Sequence, residues 1–158
     1  MNMPSTTWYF AYGSNMSKQQ MLLRTGATPP SRLAQLEGYR LAFRKYSQTD
    51  EVYADILPSS KQIVRGVAYQ CSEQAIAKID VFEGVSLDHY RREMMDIRFE
   101  DTKELALAFV YVGSSAFSDL EAHPSQEYLD RILAGTNDHG LDADYIQFVT
   151  KLATRKMS

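Results

Sequence analysis

The chain of 158 residues is 44% hydrophobic and 23% charged, which is the balance of a soluble globular protein large enough to bury a sizeable core. Its 17 Lys and Arg against 20 Asp and Glu give a formal net charge of -3 at pH 7, which argues against a dedicated polyanion binder because such domains usually carry a basic excess. A single cysteine, Cys71, excludes an intramolecular disulfide and a cysteine-rich zinc site, and without a bilayer-length apolar run or a signal-like N-terminus we expect one cytoplasmic domain with no membrane or nucleic-acid partner.

The N-terminal region predicts a strand, a turn and a short helix. Residues 8–12 form an aromatic, strand-like run that stops at the turn residues 13–15. Ser17 has the position of a helix N-cap, with Gln20 three residues later in capping-box register. The helix should end near Gly26, because glycine is the usual residue just past a helix C-terminus.

The middle of the chain is rich in strand patterns. Alternating apolar and polar residues predict strands at 39–43 and 95–99, and two further strands are predicted at 52–57 and 63–71. Residues 105–112 are nearly all apolar, as expected of a strand buried on both faces. Three tyrosines inside these segments are expected to be ordinary strand residues: Tyr39, Tyr69 and Tyr111.

Three more helices are predicted after N-caps at Ser72, Ser125 and Asp142. Because strands and helices do not alternate strictly, a Rossmann-type sheet is not expected. The sequence predicts an α+β fold, a small mixed β-barrel of about six strands with flanking helices, or a strongly curved sheet of the same content. The apolar helix faces contain Ile76, Ile79 and Phe82, then Leu129, Ile132 and Leu133, and finally Leu141, Tyr145, Phe148, Val149 and Leu152.

The turn after the first strand is the first candidate site, and its sequence is Tyr12-Gly13-Ser14-Asn15. Gly13 allows the backbone to come close to a ligand. The amides of Ser14 and Asn15 can point together into a concavity that binds a carboxylate or a polarised carbonyl. The same residues also fit a plain strand–turn–helix junction capped by Asn15 or Ser17, and the spacing alone does not decide between the two.

Glu83 is the second candidate, a carboxylate in an apolar run where a helix ends and Gly84 begins a turn. Apolar surroundings raise the pKa of a carboxylate by desolvation, and the negative end of a helix acts in the same direction. A glutamate tuned in this way can take and return a proton near neutral pH. A surface glutamate at a helix end, followed by a C′ glycine, would have the same pattern.

The other chemistry-bearing residues form no recognisable motif. His89, His123 and His139 lack metal-ligand spacing and are expected at the surface or in turns, so no metal site is predicted. Neither a GxGxxG motif nor a phosphate-binding loop is present, so no nucleotide cofactor is expected. Ser14 lacks a GxSxG context, and Cys71 fits a small buried hydrophobe better than a nucleophile.

Taken together, the two candidate features resemble the gamma-glutamylcyclotransferase family (gamma-glutamylcyclotransferase-like, AIG2-like). The resemblance spans about residues 8–152 and continues into the C-terminal helical region. The residues that carry it are Tyr12-Gly13-Ser14-Asn15, Glu83-Gly84-Val85 and Tyr90, followed by Pro124-Ser125-Gln126-Glu127-Tyr128, Gly140-Leu141 and Tyr145.

The resemblance implies a small mixed barrel that cleaves a gamma-glutamyl group from an amine or amino acid by internal cyclisation to 5-oxoproline. It implies that Glu83 is the general acid/base and that no metal or organic cofactor is needed. The partner it implies is a small gamma-glutamyl substrate, and a homodimer is left open. Tyr128 would place a hydroxyl at the pocket rim or serve only as a residue of an amphipathic helix. The implied substrate-binding residues are Tyr12, Gly13, Ser14, Asn15, Tyr90 and Tyr128, of which Tyr90 is expected to pack beside the catalytic loop more than to touch the ligand.

Three alternatives stay open at this point. A cyclotransferase could be specific for glutathione or for a gamma-glutamylated biosynthetic intermediate. A non-catalytic domain could bind a small acidic metabolite in the same pocket, although the negative charge of Glu83 argues against it. An acyl-processing enzyme with Ser14 as nucleophile would lose its activity in Ser14→Ala. Arg91 and Arg92 stand where the animal enzymes have apolar residues, so the leaving amine is left open.

Overall fold

A closed β-barrel of five strands with four α-helices makes up the described part of the chain, which in the computed structural model is residues 6–47 and 51–155. The strands are β1 (Thr6–Ala11), β2 (Ser31–Tyr46), β3 (Val52–Ser72), β4 (Tyr90–Phe99) and β5 (Leu105–Gly113). The helices are α1 (Lys18–Thr25), α2 (Glu73–Phe82), α3 (Gln126–Asp138) and α4 (Ala143–Thr154).

The order of strands around the barrel is β1-β3-β2-β4-β5. The barrel is mixed because β1 and β5 run parallel, with Trp8 opposite Ala108, whereas the other neighbouring strands are antiparallel. Two short contacts close the barrel: β1 pairs with β5 at two positions, and β2 pairs with β4 at two positions, with Ala34 opposite Phe99. The predicted fold class, a mixed barrel with flanking helices, is confirmed.

The barrel has one strand fewer than the sequence pattern predicts, because two predicted strands are one. Residues 52–57 and 63–71 both belong to β3, which pairs with β2 on either side of an irregularity. At this point residues 59–62 bulge out of the pairing opposite Gly38, whose φ of 85° is a conformation that favours glycine. The polar residues of the bulge interrupt the apolar pattern, although the strand itself continues.

The prediction that residues 105–112 are buried on both faces is wrong for the first half of β5. Leu105 and Leu107 point away from the barrel interior and are 56% and 58% exposed. The outer face becomes covered further along, where the Tyr111 hydroxyl donates to Asp80 of α2 at 2.5 Å. The apolar run therefore predicts the strand, but the packing of helix α2 determines how much of its outer face is buried.

The predicted helix starts are confirmed. Each N-cap side chain accepts the backbone N–H three residues later, and α1 ends at Gly26 with φ 77°. Phe82 and Phe148 belong to the predicted apolar helix faces but are 54% and 42% exposed. Within the described residues, none of the helices is both long and apolar enough to cross a membrane. The four confirmed N-caps are Ser17, Ser72, Ser125 and Asp142.

Candidate active site

The turn after β1 is a short 3₁₀ turn, Ser14–Met16, held between the barrel and α3. The Met16 amide donates to the Gly13 carbonyl at 3.1 Å, so the two preceding amides open the turn and have no carbonyl within it to bond. Helix α3 comes close because Gly135 has no side chain: a Cβ there would lie 2.5 Å from the Met16 Cβ. Space is also limited at Gly13, since a Cβ there would lie 3.2 Å from the Tyr128 hydroxyl and the ring would have to shift slightly.

Glu83 is the C-cap residue of α2, and Gly84 follows it in the left-handed conformation with φ 64°. The predicted position of Glu83, at the end of a helix and followed by a C′ glycine, is therefore confirmed. The Glu83 side chain is only 16% exposed. This placement directs the carboxylate toward the barrel cavity and not into bulk solvent.

One cavity of about 260 Å³ brings the two candidate features together. Its volume is near the lower end of small-molecule pockets, so a ligand of a few heavy atoms would be closely surrounded. The cavity wall contains every residue predicted for the site, namely Tyr12, Gly13, Ser14, Asn15, Glu83, Tyr90 and Tyr128.

Asn15 connects the turn to Glu83. Its Nδ2 donates to the Tyr9 hydroxyl at 2.9 Å and to Glu83 Oε1 at 3.2 Å. Its Oδ1 accepts from Gln20 Nε2 at 3.1 Å and from Arg24 Nη1 at 2.9 Å. Because donors surround one end of the amide and acceptors the other, the side chain has one orientation. Asn15 is thus a buried link between the turn, α1 and the carboxylate.

Burial raises the pKa of Glu83 to about 7. The nearby cations of Arg24 and Lys45 and the hydrogen bond from Asn15 act in the opposite direction, but the loss of solvation outweighs them. Near neutral pH the carboxyl group is therefore present in both protonation states, which is what a group that takes and returns a proton requires.

The raised pKa predicts that Glu83 makes the fold less stable as the pH rises. Between the ordinary value of 4.5 and about 7, the folded protein keeps a proton that the unfolded chain has released. Through this group the free energy of unfolding falls across that interval and stays low above it. We expect Glu83→Gln to raise Tm relative to the wild type more at pH 8 than at pH 4.5, measured by thermal unfolding. Equal differences at the two pH values would contradict the raised pKa.

The three predicted tyrosines line the cavity with different polar contacts. Tyr12 and Tyr90 donate their hydroxyls to the carbonyls of Tyr111 and Ala54, at 2.6 Å and 2.7 Å. The Tyr128 hydroxyl accepts the N–H of Ala54 at 3.1 Å, and its own hydrogen has no acceptor among the described residues. Tyr12 and Tyr90 therefore hold the walls of the barrel together, whereas Tyr128 can also donate to a ligand.

Several residues of the cavity wall were not predicted. Tyr111 is not an ordinary strand residue, because it lines the cavity between Tyr12 and α2. His89 lies in the bend before β4, as expected of a turn residue, but it also lines the cavity, and its ring stacks on Phe117 with centroids 3.8 Å apart. Lys45 of β2 also lines the cavity. A lysine at an inward-facing strand position is unusual, and this feature of the sequence could have identified Lys45 as a site residue.

Arg91 and Arg92, which left the leaving amine undecided in the sequence, do not line the cavity. Arg91 pairs with Glu93 at 2.7 Å and Arg92 with Asp80 at 2.8 Å.

Over residues 6–47 and 51–155, no group of three or more His, Cys, Asp or Glu residues is arranged to hold a metal ion. Cys71 is buried as predicted, and burial raises the pKa of its thiol to about 12.

The fold and site define a class of protein: a small closed barrel with a carboxyl group of near-neutral pKa facing a turn with open amides. The model of the family "Gamma-glutamyl cyclotransferase, AIG2-like" matches residues 9–130. The chain belongs to this family, as the resemblance of its motifs predicted.

Two relatives agree with this membership, and a solved structure has the same fold. The chain is 27% identical to the gamma-glutamylcyclotransferase of Bos taurus over 143 residues, which cover 87% of this chain and 73% of the relative. It is 27% identical to that of Homo sapiens over 142 residues, with the same coverage of 87% and 73%. A solved structure of a gamma-glutamyl cyclotransferase has the same fold, with a TM-score of 0.84 at 24% identity over 98% of this chain and 94% of that chain.

Proposed function

We propose that this protein is a gamma-glutamylcyclotransferase that converts a gamma-glutamyl amino acid or amine to 5-oxoproline and the free amine. The observation that carries the proposal is that a carboxyl group with a pKa of about 7, that of Glu83, lines the same small cavity as the turn after β1. Membership of the family supports the class of reaction, because the relatives carry the name of this activity.

Glu83 is the general acid/base of the proposed reaction. The nucleophile is the α-amine of the substrate itself, so the chain need not supply a serine or a cysteine. This amine is mostly protonated at neutral pH and must lose a proton before it attacks the γ-carbonyl carbon. The Glu83 carboxylate takes that proton and then returns it to the leaving nitrogen as the C–N bond breaks. The second proton that the attacking nitrogen must lose passes to the released amine, which is present as an ammonium ion at neutral pH. Positioned proton transfer of this kind contributes roughly 10² to 10⁴ in rate.

The turn holds the gamma-glutamyl group in the proposed complex. Its open amides, those of Ser14 and Asn15, are donors for the negative charge that develops on the γ-carbonyl oxygen. The Tyr128 hydroxyl, whose hydrogen has no acceptor in the described part of the chain, is a further donor at the same wall. The small volume of the cavity favours a substrate folded back on itself, which is the geometry that ring closure requires.

The contacts of the site support this reaction over the two alternatives of a different class. A nucleophilic serine needs an adjacent base, but the Ser14 hydroxyl accepts from the side-chain amide of Gln20, a group that cannot take its proton. A site that only binds small acids would be weakened by Glu83, because the charged carboxylate repels an anion.

Incubation of the purified protein with a panel of gamma-glutamyl compounds tests the proposal. We expect mass spectrometry to detect 5-oxoproline and the free amine from at least one of gamma-glutamyl-alanine, gamma-glutamyl-ethylamine and glutathione. The relative rates identify the leaving group and separate a glutathione-specific enzyme from a broader one. Tight binding of a panel member in calorimetry, without turnover of any member, would contradict the proposal and favour a binding domain.

A further inference from the structure

Lys45 is a buried cation in the cavity wall that the proposed reaction does not use. The residue is only 1% exposed, and its Nζ donates to the Tyr46 carbonyl at 2.7 Å and to Nδ1 of His89 at 2.9 Å. The same ammonium lies 5.2 Å from the centroid of the Tyr90 ring and 5.1 Å from that of Phe117. All of these partners are neutral, so the contacts hold the ammonium in place without compensating its charge.

Within residues 6–47 and 51–155, no carboxylate forms an ion pair with Lys45. Burial lowers the pKa of Lys45 to about 8, because the more distant charges of Glu83 and Asp55 offset the loss of solvation only in part. An ammonium has three N–H donors, and the contacts to Tyr46 and His89 use two of them. One donor is therefore left for a ligand in the cavity that Lys45 lines.

The other cations of the cavity wall already have acidic partners. Arg24 bonds Asn15 and lies 3.7 Å from Glu83 Oε1, whereas Arg131 pairs with Glu127 at 2.7 Å in a partly exposed position. Lys45 is thus the cavity cation that no described carboxylate contacts directly, and the charges of Glu83 and Asp55 act on it only from a distance. A carboxylate on the ligand would match it and use its remaining donor in a charge-assisted hydrogen bond.

Building on the proposed function, we propose that Lys45 binds a carboxylate of the substrate and that His89 is its positioning residue. Burial lowers the pKa of His89, so the imidazole is neutral and its Nδ1 accepts from the ammonium. Stacking on Phe117 holds the ring in the orientation that this bond needs. The carboxylate is either that of the gamma-glutamyl group or that of a leaving amino acid, since both carry the same chemistry.

Lys45→Met, which keeps an unbranched apolar stem without the charge, distinguishes these two sources. We expect the KM for the affected substrates to rise about 10- to 100-fold, the effect of losing a hydrogen bond to a charged group, while kcat changes less. If the glutamyl carboxylate is bound, gamma-glutamyl-alanine and gamma-glutamyl-ethylamine are affected equally. If the carboxylate of the leaving amino acid is bound, only gamma-glutamyl-alanine is affected. An unchanged KM for both substrates overturns the inference.

Binding of glutarate, a dicarboxylate that cannot cyclise, tests the same site without turnover. In calorimetry we expect Lys45→Met to bind glutarate at least about tenfold more weakly than the wild type. If no gamma-glutamyl compound is turned over but glutarate binding still depends on Lys45, the proposed function fails and the carboxylate site stands. If turnover occurs but both KM and glutarate affinity are unchanged in Lys45→Met, the site fails and the proposed function stands.

Thermal unfolding separates this binding role from a structural one. Because Lys45→Met removes a buried charge that has no direct ion pair, we expect its Tm to equal or exceed that of the wild type. Lys45→Gln keeps a donor for the Tyr46 carbonyl and should reproduce the KM effect if the charge is what matters. Lys78→Met is the matched control, since Lys78 is an exposed residue of α2 outside the cavity wall and should leave KM unchanged. Lower Tm values for both Lys45 variants with wild-type KM would show a purely structural role.

Discussion

Replacement of Glu83 by Gln is expected to lower kcat about 10²- to 10⁴-fold and to leave KM nearly unchanged. Glutamine keeps the shape of the side chain and can still accept the hydrogen bond from Asn15, which stands at 3.2 Å. It cannot take the proton from the substrate amine or return one to the leaving nitrogen. The release of 5-oxoproline under saturating substrate measures kcat directly, and circular dichroism checks that the fold is retained.

Glu73→Gln is the matched control for this variant, because it makes the same change at the other end of α2. Glu73 is exposed in the first turn of the helix and does not line the cavity, so we expect wild-type kcat and KM. Wild-type kcat in Glu83→Gln would show that the assigned acid/base is wrong, even if the protein cyclises gamma-glutamyl compounds.

Gly135→Ala is expected to reduce the free energy of unfolding by about 1–3 kcal/mol and to lower kcat/KM as well. In an isolated helix the same change would add about 1 kcal/mol of stability, because alanine is the better helix former. Here the new Cβ would lie 2.5 Å from the Met16 Cβ and 2.6 Å from the Ser17 amide nitrogen. Either α3 or the turn must shift, and the turn carries the amides of the proposed site. Urea unfolding and steady-state kinetics measure the two effects.

Asn137→Ala provides the comparison on the same helix. Asn137 is exposed on α3, so alanine should leave stability unchanged or slightly raised and activity at the wild-type level. A Gly135→Ala protein that is more stable than the wild type and fully active would contradict the close approach of α3 to the turn.

The predictable part of the site is the part that local sequence controls. The turn after β1 is specified locally by Gly13 and by the Ser17 cap of the helix that follows, and the end of α2 by Gly84 in the left-handed conformation. Lys45, His89 and Tyr111 escaped prediction because they come from three distant segments and share no motif. The strand count failed for a related reason, since pairing with β2 carries β3 across a polar bulge that looks like a loop in the sequence.

The composition, with one cysteine and a net charge of -3, is compatible with many functions. By itself the sequence determined the helix starts, the mixed-barrel class and the resemblance to the family, because caps, turns and apolar periodicity act over short distances. Only the tertiary structure decided that Glu83 lines the same cavity as the turn, that its pKa is raised to about 7, and that Lys45 is buried with no ion-pair partner among the described residues. The pKa of a buried group depends on its desolvation and on the charges near it in space. The residues that provide both come from distant parts of the chain and meet only when the barrel closes.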